Sequence, residues 1–110
     1  MDISAVYSAG RLLIGVKGEL DQHRARQIKA QAEEQMDVFL PKECALDLSG
    51  LRFMDSSGIA VILALRKRME ELGGRLILVN IPQQPMRVLE AAGIERIVPI
   101  GVRIGEEAAQ

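Results

Sequence analysis

The stretch Asp55-Ser56-Ser57-Gly58 holds the residues with the most direct chemical use in this chain. A serine hydroxyl at the start of a helix can carry a phosphoryl group, because the free N–H groups and partial positive charge there stabilise an added anion. An Asp or Ser ahead of an apolar helix is also an ordinary N-cap, and the residues alone leave both readings open. A second group, Gly18-Glu19-Leu20-Asp21 followed by His23 and Arg24, sets two carboxylates at a strand–helix junction. Two carboxylates can share acid/base work, while a helix cap and a solvated acid account for the same residues. His23 is the one histidine and Cys44 the one cysteine. With Asp21 they fall short of a metal set, so no metal is expected, and Cys44 has no mate for an internal disulfide.

Enzyme templates fit poorly. Met54 stands where a G-x-S-x-G elbow needs its first glycine. A Ser–His–acid triad would have to use His23, which nothing in the sequence brings to Ser56. Neither a G-x-x-x-x-G-K-[ST] loop nor G-x-G-x-x-G is present. The expectation is a protein without catalytic residues or cofactor.

These residues need elements to position them. A chain of 110 residues with 48% hydrophobic residues can bury the core of one domain, taken as 1–110. Ser4–Tyr7 predicts a first strand, Ala9-Gly10 a turn and Arg11–Lys17 a second strand, which makes a β-hairpin. Gly18 is expected to end that strand. Asp21 then caps a helix with the stripe Ala25, Ile28, Ala32, Met36 and Phe39, stopped by Pro41. Cys44–Leu48 reads as a short strand and Ser49-Gly50 as a turn. A loop follows to Gly58, then a helix from near Ile59 to Leu72, ended by Gly73-Gly74. Arg75–Asn80 is a strand. Pro85 suits the first position of a helix that reaches Ala92 and is closed by Gly93. Ile97–Ile100 is a last strand, and Gly105–Gln110 a terminal helix. The order β-β-α-β-α-β-α-β defines an α/β fold: a mixed, mostly parallel sheet of about five strands with three to four helices packed on it.

Composition excludes several classes of function. Lys and Arg number 14 against 15 Asp and Glu, a formal charge of −1, so direct nucleic-acid contact is not expected. Aromatics at 3% give little for base stacking. No apolar run approaches the ~20 residues of a membrane span. Met1-Asp2-Ile3-Ser4 does not read as a secretory leader. With its single cysteine, the chain is expected in the reducing cytoplasm, away from membranes. The run Ile59–Leu65 is apolar on every side before the helix turns polar at Arg66. Packing between sheet and helix explains that run. So does a docking patch beside Ser56, to which Met54 adds an adaptable contact.

The run from Leu46 to Ile59, L-D-L-S-G-L-R-F-M-D-S-S-G-I, resembles the signature of STAS domains of the anti-sigma factor antagonist family. Gly18-Glu19-Leu20-Asp21 is similar to a second block, G-E-[LI]-D. Gly73–Val79 and Leu89–Ile97 are similar to the later strand–helix–strand pattern, and the likeness spans residues 3–100. His23 and the phrase Phe53–Gly58 are most like the sporulation branch, which antagonises the anti-sigma F factor. Ala60 and Ala64 in place of glycines, and Leu65-Arg66-Lys67 in place of R-Y-K, depart from it.

The resemblance implies the STAS fold and Ser56 as a phosphorylation site. The partner it implies is an anti-sigma factor that is also a serine kinase and supplies the ATP. The unmodified chain binds that partner and releases the sigma factor, phosphorylation at Ser56 switches binding off, and a serine phosphatase restores it. The surface expected to meet the partner is Glu19, Asp21, His23, Arg24, Met54, Asp55, Ser56, Ser57, Gly58, Ile59, Val61 and Ile62. The free chain is expected to be a monomer. The alternative is a STAS module that binds without phosphorylation, in a stress-signalling complex or a transport system.

Overall fold

Ala9 and Gly10 both adopt positive φ, 51° and 82°. A two-residue hairpin loop needs that pair of left-handed residues, and here it folds β1 (Ile3–Ser8) back antiparallel on β2 (Arg11–Leu20). The structure is a computed structural model and describes residues 3–101. After the hairpin come α1 (Ala25–Phe39), β3 (Glu43–Met54), α2 (Ser56–Glu71), β4 (Arg75–Val79), α3 (Gln83–Ala91), a 3-10 turn (Ile94–Arg96) and β5 (Ile100–Gly101).

The five strands lie side by side in chain order, and every pair after the hairpin is parallel. Each parallel step therefore moves the same way across the sheet. Right-handed crossovers then put all three helices on one face. The core agrees: Ile28, Ala32 and Met36 of α1, Val61, Ile62, Leu65 and Met69 of α2 and Leu89 of α3 form one cluster with Leu12, Ile14, Cys44, Leu46, Leu48, Leu76 and Leu78. On the opposite face Ala45, Ile77 and Val79 make a second, smaller cluster with Leu13 beside it. No helix among the described residues is long and apolar enough to cross a membrane.

Two expected breaks are not breaks. Gly18 lies inside β2, and Ser49-Gly50 lies inside β3 rather than in a turn. The β2–β3 register slips between Gly15 and Lys17 and again between Gly18 and Glu19, so β3 carries the extra residues of two bulges. Asp47 Oδ1 accepts from Ser49 N–H at 2.9 Å, satisfying a donor that the irregular ladder leaves over. The ladder thus continues to Leu20 opposite Met54.

Three further boundaries move. Helix α2 begins at Ser56, not near Ile59, because Asp55 caps it. Pro85 is the third residue of α3, where its missing N–H would have had no intrahelical partner. The last strand is Ile100–Gly101, since residues 94–96 wind into the 3-10 turn first. The helix expected at Gly105–Gln110 lies outside the described residues.

Candidate functional site

The bulged extension of the β2–β3 ladder places Glu19 opposite Phe53 and Leu20 opposite Met54. The two sequence blocks therefore meet at the carboxyl ends of adjacent parallel strands, where open α/β sheets present their sites. Asp55 N–H donates to Leu20 O at 3.4 Å and joins the strand ends. Asp55 then turns the chain in extended conformation, and its Oδ1 accepts from Ser57 N–H at 2.8 Å. So Asp55 is the N-cap. Ser56 is the first helical residue, exposed, and its hydroxyl makes no hydrogen bond among the described residues. Ser57 is half-buried.

Gly58 is buried and cannot be larger. A Cβ there would overlap Met54 Cγ, stand 2.7 Å from Met54 Sδ and 3.1 Å from Leu20 Cγ. The first turn of α2 thus lies directly on the ends of both strands.

The carboxylates are not a free pair. Glu19 Oε2 meets Arg52 Nη2 at 2.7 Å, and Glu19 Oε1 lies 3.8 Å from Arg24 Nη1. Asp21 Oδ1 accepts from the N–H groups of His23 at 3.0 Å and Arg24 at 3.1 Å, so it shapes the turn that leads into α1. His23 is exposed beside it. No three metal-ligating side chains gather among the described residues. Cys44 is buried in the core; burial first, and the Glu43 charge second, push its thiol from 9.0 up to about 12.

Of the surface expected to meet a partner, Met54, Gly58, Val61 and Ile62 are buried. Met54 and Ile62 have no exposed area and Val61 has 3%, so none can offer an adaptable contact. The reason is helical phase. The stripe Leu65–Met69 runs back through Ile62, Val61 and Gly58 onto the sheet. Extending that stripe from the amphipathic half of the helix would have identified them. The large apolar side chains exposed along the end of β3 and α2 are Phe53 and Leu63, with Ile59 half-buried.

Gln84 is a residue of the candidate site that the sequence reading did not single out. Its Nε2 donates to Met54 O at 2.9 Å and its Oε1 accepts from Met54 N–H at 2.9 Å, as a neighbouring strand would. This clamp pins α3 to the end of β3. Between α3 and the first turn of α2 lies an open cleft of about 460 Å³, lined by Ser56, Ile59, Gln84, Arg87, Val88, Ala91 and Ala92.

The chain belongs to the STAS domain family, whose model matches residues 2–107. Its relatives place it among the anti-sigma factor antagonists, which are regulators. It is 31% identical to an anti-sigma F factor antagonist of Paenibacillus polymyxa over 100 residues, 91% of this chain and 86% of that one. It is 29% identical to an anti-sigma-B factor antagonist of Listeria monocytogenes over 90 residues, 79% of this chain and 75% of that one. Among solved structures it is similar to the anti-sigma factor antagonist SpoIIAA in its unphosphorylated form: TM-score 0.79, 26% identity, 97% of this chain and 92% of that one. It is similar too to the Bacillus cell fate determinant SpoIIAA in the phosphorylated form, with TM-score 0.69, 28% identity, 97% of this chain and 96% of that one.

Proposed function

We propose that this chain is a phosphorylation-switched antagonist of an anti-sigma factor. The unmodified form binds a partner that is both anti-sigma factor and serine kinase, and the bound sigma factor is released. The partner brings ATP, and Ser56 Oγ accepts the phosphoryl group. A serine phosphatase removes it. The whole cycle belongs in the cytoplasm.

The observation that carries this reading is the division of labour at the junction. Asp55 holds the Ser57 N–H, and Ser56 is left exposed with its hydroxyl uncommitted. Phe53, three residues before it, and Leu63, two turns along α2, are exposed, and Ile59, which shares its cleft, is half-buried, so apolar side chains are open to a partner. A phosphoserine adds about −1.5 to −2 charges and three acceptor oxygens. At a helix N-terminus that charge leaves the fold intact. Against an apolar partner patch it must be desolvated, and beside Asp55 it meets a like charge. A loss of ~3–4 kcal/mol, within reach of those two effects, weakens binding a few-hundredfold.

The test is incubation with a cognate anti-sigma factor kinase and ATP, followed by mass mapping. Phosphate on Ser56, abolished in Ser56→Ala, is the expected result. Phosphate on Ser57 refutes the site. No modification refutes the switch and favours a STAS module that binds without phosphorylation.

A further inference from the structure

We infer that Arg87 binds, as an ion pair across the α2–α3 cleft, the phosphate that stays on modified Ser56, and so closes that cleft to the partner; this rests on Ser56 being the residue modified. Ser56 and Arg87 line the same cleft, Ser56 from the start of α2 and Arg87 from α3. Arg11, Arg24, Arg52, Arg66, Arg68 and Arg75 each face a carboxylate. Arg87 is exposed and has no ion pair or hydrogen bond among the described residues. Its guanidinium is therefore available, and its forked donors match phosphate oxygens two at a time.

The backbone holds this pair in place. Gln84 clamps Met54, two residues before Ser56, and Arg87 follows Gln84 by three residues on the same side of α3. Movement of α3 away from Ser56 would break two hydrogen bonds. The cleft wall between them is apolar, with Ile59, Val88 and Ala92. A phosphate–guanidinium pair over such a wall is less screened than one in open water.

No carboxylate among the described residues pairs with Arg87, Glu90 one turn along α3 included. Asp55 is engaged with Ser57 N–H, Glu19 with Arg52 and Arg24, and Asp21 with the turn before α1. A phosphoryl group is thus the anion the cleft lacks. Once it bridges to Arg87 the apolar wall is covered, and a partner that read the open cleft finds it shut.

The experiment installs phosphoserine at position 56 by genetic incorporation, so that it does not depend on any kinase. Phosphorus NMR then follows the phosphate titration. With Arg87 present, the second phosphate pKa is expected about one unit below its usual value near 6. Arg87→Gln should raise it by about one unit, Arg87→Lys should fall between, and Arg96→Gln, on the 3-10 turn, should change nothing. An unchanged titration in Arg87→Gln, with the fold intact by amide spectra, overturns the inference. Failure of the kinase assay, by contrast, would refute phosphorylation of Ser56 and leave this titration readable.

Discussion

Replacing Gly58 by Ala sets two effects of opposite sign against each other. Helix propensity alone predicts a gain of at most about 1 kcal/mol, the figure for a helix interior, since Gly58 sits in the first turn. Packing predicts a loss. The new methyl group would overlap Met54 Cγ, with Sδ at 2.7 Å and Leu20 Cγ at 3.1 Å, and both side chains are fully buried. Overpacking of this kind costs about 1–3 kcal/mol, and the near-complete overlap puts Gly58 at the upper end. The net loss is then about 2 kcal/mol, and at about 4 °C per kcal/mol for a chain of this length the Tm falls by about 8 °C. Thermal and urea denaturation measure it. A double-mutant cycle with Met54→Ala isolates the cause. That change alone costs about 2–5 kcal/mol, but it empties the space the methyl needs, so Gly58→Ala should become neutral or favourable there. If Gly58→Ala is as stable as the parent, or costs the same in both backgrounds, the account of how α2 is seated on the strand ends is wrong.

Other consequences follow from the same contacts. Gln84→Ala should cost about 2 kcal/mol in urea denaturation, since two part-buried backbone groups of Met54 lose their partner; faster hydrogen exchange at the Met54 amide is the local sign. Asp55→Ala should lower stability by about 1 kcal/mol, and Asp55→Asn, which keeps an acceptor, should restore most of it. The Cys44 thiol is held at about 12 in the folded chain against 9.0. A raised folded value favours the protonated form, so its contribution is complete below pH 9 and declines as pH climbs from 9 towards 12. The stability difference between parent and Cys44→Ala should narrow over that window, and no narrowing would mean that Cys44 is not shielded.

The parts of this fold that follow from period and chain order were legible in the residues. Ile28, Ala32 and Met36 repeat at helical spacing and do face the sheet. Alternation of strand and helix gave the parallel sheet, and Ala9-Gly10 gave the hairpin. What escaped depends on pairing between distant segments. Ser49-Gly50 carries a turn composition, yet the neighbouring strand β2 keeps it in the ladder as a bulge. Gln84 matters through a contact 30 residues away along the chain, which no local pattern encodes. Glu19 looks like a free acid until Arg52 and Arg24 are seen beside it. At the candidate site the D-S-S-G run marked the junction, but not which side of α2 reaches solvent. That depends on phase, and the run Ile59–Leu65 is too uniformly apolar to reveal it without the polar half that follows.

The central claim is that a phosphate on Ser56 separates two binding states of one fold. Calorimetric titration of the cognate anti-sigma factor into unmodified chain and into chain phosphorylated at Ser56 tests it most directly. The account predicts a Kd a few-hundredfold weaker for the phosphorylated chain, about 3–4 kcal/mol, with the Tm of the two forms nearly equal. Equal affinities, or a phosphorylated chain that has lost its fold, would contradict it.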